Sequence, residues 1–488
     1  MSSPPSTPPI SYLSLHAKIP MNYMDQVKTT FQQFNFQQRY FFLTEILNCC
    51  DSQLLHYVHT FITPKLKIDF LYKLPLEIAL HIVSLIDDPY TLTQASCVSR
   101  HWANLFQDEG VWKSLCLKHN YFSWDKRVTY RALFRRQYSI DMAWIQGNAK
   151  VISCESKIGE GLATSVQMDD TFTVIGCDNN LVEVFDSTTG KHLRSLLGHE
   201  GGVWALQFIK TQQNQHLLVT GGCDRAARVW NLNTGELRHV LQGHVSTIRC
   251  LKIQNDRIAV TGSRDTTLRI WDIEQGQLVH ICTGHQGSVR CIAIHGNRVA
   301  SGSYDTTARL WDMDTGECIH EFIGHHSQIY AIAFDGTRVV TGSLDSRIRI
   351  WSAQTGECLM TLQGHTSLVG HLQLSNRTLV SGGADGCLRV WDIETFECKH
   401  RISAHDNAVS CLQFDQKRIL SGGSDGRVKL WDIENGILIR SFTETARTVW
   451  KVQMNQTKAV VILQRDTDHH TMASHRTVIE LHDFDLEE

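Results

Sequence analysis

From about residue 160 onward the chain alternates apolar and polar residues in short runs broken by turn residues, the period expected of half-buried strands. One stretch shows the unit: Ile248–Ile253, Arg257–Gly262, Thr267–Asp272 and Leu278–Cys282 each read as a strand, with Asn, Asp, Gly and Thr between them. The N-terminal part changes period. Leu43, Ile46, Leu47 and Cys50 form one helical stripe, and Leu54, Leu55, Val58, Phe61 and Ile62 form the next, behind Asp51 as a cap. Leu74-Pro75 opens a further helix carrying Ile78, Ile82, Val83 and Leu85, which Asp88-Pro89 stops; Leu92, Ala95, Val98 and Trp102 line a second one.

Composition adds limits. The chain has 488 residues, room for more than one domain, and a formal net charge of −3, which gives no bulk attraction to nucleic acid or membrane. It has neither a spanning apolar stretch nor a signal-peptide pattern, so an intracellular protein of nucleus or cytoplasm is expected. The 15 cysteines form no C-x-x-C pair, and many recur at fixed positions, as Cys250, Cys291 and Cys411 do; they read as packing residues in a reducing compartment. All eight prolines lie at or before Pro89, four of them in the opening "MSSPPSTPPI". Residues 1–21 are therefore expected to be disordered, and the Pro-free remainder is free to pair strands.

The strand pattern repeats. Trp271, Trp311, Trp351, Trp391 and Trp431 stand 40 residues apart, and His244, His285, His325, His365 and His405 precede them. Trp230 and Phe185 continue the series backward, and Val449 to about Asp485 adds a degenerate last copy. Eight units result, weakest at the ends as repeat arrays are. This pattern resembles the WD-repeat β-propeller family, which implies an all-β ring of eight four-stranded blades over residues 151–488. The recurring set His244, Thr261, Asp265 and Trp271 could suggest hydrolase chemistry. A catalytic group is needed once, however, and this one recurs in almost every unit, so it is assigned to holding strands together. No catalytic residue, cofactor or metal is expected.

Two registers vary while their neighbours stay constant. Five residues after each histidine stand Trp204, Arg249, Arg290, Tyr330, Gly370 and Ser410; just before each turn aspartate stand Cys177, Cys223, Arg264, Tyr304, Leu344, Ala384, Ser424 and, in the last unit, Arg465. The WD-repeat resemblance implies that both registers look onto one face and the mouth of its channel. Arg249, Arg264 and Arg290 then converge, flanked by Trp204, Tyr304 and Tyr330, with Ser246 and Thr247 as extra donors. Clustered guanidinium groups repel one another until an anion arrives, and a phosphorylated Ser or Thr matches their planar forks. Arg225 and Arg465 could read a second acidic position. Nucleic acid is disfavoured because there is no basic excess or Lys/Arg stripe.

Upstream, Leu74-Pro75-x-Glu77, the apolar helices ending at Trp102, and Trp112 resemble an F-box across residues 67–113. Before a propeller this order resembles F-box/WD-repeat substrate receptors of SCF (cullin–RING) ubiquitin ligases, most closely the phosphodegron-reading archipelago type. The resemblance implies a non-catalytic subunit binding phosphorylated Ser/Thr-Pro segments on the propeller. It also implies docking on the SCF adaptor, and through it the cullin–RING core, with Leu74, Pro75, Ile78, Ile82 and Trp102. Residues 22–66 are a helical segment that extends this domain or allows a homodimer, and 114–150 form a helical linker. Lys451 departs from the arginine usual in that family. The alternative is a WD-repeat scaffold with no ligase coupling.

Overall fold

The computed structural model describes residues 21–66, 69–121, 128–154, 161–466 and 475–486. The opening expected to be disordered lies outside these up to residue 20, and Met21 already starts a helix. The chain divides into two compact units after Leu133. Among the described residues no helix is long and apolar enough to cross a membrane.

The first unit is helical: α1 (Met21–Gln33), α2 (Phe36–Asn48), α3 (Ser52–Leu66), α4 (Phe70–Lys73), α5 (Leu76–Ser84), α6 (Pro89–Ser96), α7 (Arg100–Leu105) and α8 (Glu109–Lys118). Side-chain caps set the boundaries. Asn35 Oδ1 accepts from the Gln38 amide while Gln38 Oε1 accepts from the Asn35 amide, a reciprocal cap on α2. Asp51 Oδ1 accepts from the Leu54 amide at 2.8 Å and starts α3. Asp88, expected to end a helix, also begins the next, accepting from the amides of Tyr90 and Thr91. The stripe from Leu92 to Trp102 is two helices rather than one. Ser99 Oγ accepts from the Trp102 amide and starts α7, leaving Val98 exposed in the break. Leu71, Ala79, Val83, Leu92, Leu105, Val111 and Leu115 form the buried interior.

The second unit is a closed ring of eight four-stranded antiparallel sheets. In blade 3 the strands are Ile248–Ile253, Ile258–Ser263, Leu268–Asp272 and Gln277–Cys282. Blade 8 is composite: Lys150–Cys154, first in sequence, pairs as its outer strand with His475–Asp483 from the far end of the chain. Cys154, Ile462, Ile479 and Leu481 of this blade share a core with Ala163, Ile175 and Phe185 of blade 1, sealing the ring. Polar side chains also join blades. Gln167 Nε2 donates to the Phe208 carbonyl at 2.8 Å, Gln413 Nε2 to Met454 at 2.9 Å, and Gln207 Oε1 accepts from the Ile253 amide at 2.7 Å. Ahead of the ring, α9 (Tyr130–Gln146) sends Ile140, Ala143 and Trp144 into the core of its last blades.

The repeated His, Asp, Thr/Ser and Trp form the same buried network in blades 2 to 7. In blade 3 His244 Nδ1 meets Asp265 Oδ2 at 2.7 Å, and His244 Nε2 meets Thr261 Oγ1 at 2.8 Å, an oxygen that also accepts from Trp271 Nε1 at 2.8 Å. Blade 4 repeats this with Ser301 in the hydroxyl position. Each network ties the loop before the first strand to the second and third strands, a structural role. Bonds from His199 and Arg228 bring Asp224 down to about 2 against the cost of its burial, and Asp265 and Asp305 are likewise lowered. Burial also lowers His325, His365 and His405.

These shifts predict acid sensitivity. The unfolded chain takes up protons on histidine near pH 6.5 while the buried imidazoles resist, so stability falls as pH drops below about 6.5. Stability from the lowered aspartates is present above about pH 4 and is lost below it. Melting temperature is therefore expected to decline from pH 7 to 5 and more steeply below 4. A profile flat down to pH 4 would contradict the histidine assignment.

Candidate functional site

The strand nearest the ring axis, first in sequence in blades 1 to 7 and Thr448–Met454 in blade 8, carries one irregularity at the same place in every blade. Pairing with the second strand slips by one residue between Ile248 and Cys250, between Val289 and Cys291, and at the matching point in the other blades. The bulged residues are Trp204, Arg249, Arg290, Tyr330, Gly370, Ser410 and Trp450, with Thr164 in blade 1. A bulge frees a side chain from cross-strand pairing and re-aims it. That is why this register can vary while its neighbours cannot.

The structure brings the central arginines together. Arg249 lies over the Trp204 ring with 4.8 Å from Cζ to the centroid, and Trp204 Nε1 donates to Cys223 Sγ. Burial pushes the Arg249 guanidinium down from its ordinary pKa, and the neighbouring charges of Arg264 and Arg290 push it further. Arg290 lies 5.9 Å from the Tyr330 ring, which packs 5.2 Å from Tyr304. Burial, and then the hydrogen bond with Tyr304, raises the Tyr330 phenol. The Arg264 amide donates to the Thr247 carbonyl at 2.9 Å, holding the turn beside Ser246 and Thr247. Among the described residues none of the three arginines has a carboxylate partner. At Gly370, a Cβ would meet nothing nearer than 4.0 Å, so that side of the mouth stays open.

The two outlying arginines differ. Arg465 Nη2 donates to Glu480 Oε1 at 2.6 Å, so its charge is already balanced. Arg225 is exposed at a turn residue with φ of 67°, the position that follows each turn aspartate.

In the helical unit, Pro75 precedes α5 and is exposed. Ile78 is exposed on α5, whereas Leu74 and Ile82 are half-buried. Leu76, which the sequence reading did not single out, is more exposed than Ile78, and Tyr72, Leu85 and Tyr90 are exposed as well. Ala79 and Val83 take the inward face of α5. Trp102 is half-buried with Nε1 donating to Asp69 Oδ1 at 2.8 Å, which holds that carboxyl below its usual range.

Comparison with known proteins agrees with both units. The F-box-like family matches residues 71–118. The WD domain, G-beta repeat, matches residues 190–231, 235–272, 276–312, 316–352, 356–392 and 396–432. The chain is 31% identical over 52% of its length to the WD repeat-containing protein pop1 of Schizosaccharomyces pombe. It is 34% identical over 36% of its length to F-box/WD repeat-containing protein 7 of Drosophila melanogaster. It spans 34% and 14% of those proteins' own lengths. A solved structure of the computationally designed Ika8 protein superposes with a TM-score of 0.59 at 32% identity, over 67% of this chain and 98% of that one. An F-box-like helical segment followed by a WD-repeat ring places this chain in the F-box/WD-repeat family.

Proposed function

We propose that this chain is the substrate-recognition subunit of an SCF ubiquitin ligase. Its propeller mouth binds phosphorylated Ser/Thr-Pro segments, and its F-box docks on the ligase adaptor. One observation carries the reading: Arg249, Arg264 and Arg290 cluster on adjacent blades without a carboxylate among the described residues. Such a cluster lacks negative charge until a phosphate supplies it. Unmodified peptide would desolvate the cations without pairing them, which is the basis of discrimination. Trp204, Tyr304 and Tyr330 supply apolar walls for the flanking residues. The chain contributes proximity between substrate and ligase, and no bond-breaking step is assigned to it.

The adaptor surface is assigned to the exposed apolar residues Pro75, Leu76 and Ile78, with Leu74 at its edge. Pro75→Ala combined with Ile78→Asp is expected to reduce co-purification of the adaptor at least tenfold while leaving phosphopeptide binding unchanged. Retained co-purification would favour a scaffold without ligase coupling. Ahead of the F-box, α2 has no buried residue and exposes Phe36, Tyr40 and Phe41, which supports self-association through this segment. Two linked receptors would gain avidity for doubly phosphorylated targets.

A further inference from the structure

Continuous with the mouth, a cavity of about 490 Å³ is lined by inner-strand residues of seven of the eight blades. Its basic side chains are Lys252 of blade 3, Arg290 of blade 4, His371 of blade 6 and Lys451 of blade 8, and among the described residues no Asp or Glu lines it. Among the described residues neither lysine forms an ion pair.

These cations are not needed for packing. At the register of His371 and Lys451 the other blades carry Ser165, Ala205, Cys250, Cys291, Ala331 and Cys411, all small. Lys252 stands where blades 1, 2, 6, 7 and 8 place a glutamine, several of which join neighbouring blades. Lys252 is open to water yet enclosed by the channel wall, and that enclosure lowers its pKa. Burial, and then Arg290, also lowers Lys451. His371 is brought down to about 3 by burial, Lys451 and Arg290, with the Ser410 backbone as its hydrogen-bond partner opposing the shift. Arg290 thus acts across the channel on groups from blades 6 and 8. The interior resists further positive charge, and its described lining supplies no carboxylate to balance it.

We infer that the channel interior is a second anion site, taking a compact multivalent phosphate of the pyrophosphate class between Lys451, Arg290, Lys252 and His371. A compact anion fits better than an acidic peptide, because the cations come from different sides of the ring toward one axis and a strand presents its charges in a line. The site lies beyond the peptide-binding reading above; of the four basic groups only Arg290 belongs to both, and Trp204 lines both.

The test is calorimetric titration of the full chain with sodium pyrophosphate. Wild type is expected to bind, Lys451→Gln to bind at least tenfold more weakly, and Lys451→Arg to stay within threefold of wild type. Arg264→Ala, altered only at the mouth, is expected to keep pyrophosphate affinity, and Lys451→Gln to keep phosphopeptide affinity. Lys252→Gln, at a more open position, serves as a second variant should Lys451→Gln fail to fold. No binding by wild type, or binding indifferent to both lysines, overturns the inference. So does loss in Arg264→Ala alone, which would place the anion at the mouth, and so does a lysine dependence shown by an acidic peptide but not by pyrophosphate. Failure of phosphopeptide binding with Lys451-dependent pyrophosphate binding would remove the proposed substrate class and leave this site standing.

Discussion

Arg249→Ala is expected to weaken binding of a phosphorylated Thr-Pro peptide about a hundredfold, or ~2.7 kcal/mol. Arg249 sits between Trp204 and the other two arginines, half-buried, and its guanidinium is already disfavoured by their charge. A phosphate reverses that penalty and adds charge-assisted hydrogen bonds, so the loss should exceed the effect of an exposed charge. Arg249→Lys should recover little, because an ammonium can neither fork around two phosphate oxygens nor stack as a plane on Trp204. Affinity of wild type should fall as salt rises. Equal affinity for the phosphorylated and unphosphorylated peptides would sink the reading, and titration of both against wild type and variant measures it.

Trp144→Ala is expected to destabilise the ring by ~3–5 kcal/mol, the cost of deleting a fully buried aromatic side chain. The indole is inaccessible to solvent and stacks on Phe484 with 3.9 Å between centroids. Its Nε1 donates to the Gln456 carbonyl at 3.0 Å, and the Arg418 guanidinium lies 4.6 Å from its ring. Truncation removes the stack, orphans a carbonyl and strips Arg418 of its aromatic face. Urea unfolding followed by circular dichroism should show a lower midpoint. The same experiment on Trp204→Ala, a residue 39% exposed at the mouth, should show little change. A loss below ~1 kcal/mol for Trp144→Ala would mean that α9 is not part of the folded ring.

The strands of blade 3 were legible to within a residue, because alternation and turn chemistry recur in every copy and reinforce one another. Arg249 and Arg290 were legible for a related reason: their varying register is the bulge, so departures from the repeat there mark side chains released from pairing, while Arg264 stands out at the turn before Asp265. Lys451 and His371 passed unnoticed as a pair. They lie one residue beyond the bulge, far apart in sequence, and only closure of the ring sets them around one axis. The break at Ser99 was hidden because apolar spacing continues across it, and a single hydroxyl cap decides where the helix restarts. Nor could the pattern show which side of α5 faces water, since Leu76 and Val83 look alike until the neighbours that bury Val83 are known.

The composite eighth blade bears on how the molecule is made. Lys150 pairs with Asp483, roughly 330 residues later. During synthesis at about 5–20 residues per second, that first strand waits tens of seconds with an open edge before its partner leaves the ribosome. Open edges invite pairing with other chains. Nascent chains should therefore lean on chaperones until the last strand arrives, and a stop codon a few residues short of it would leave an unlatched ring prone to aggregation.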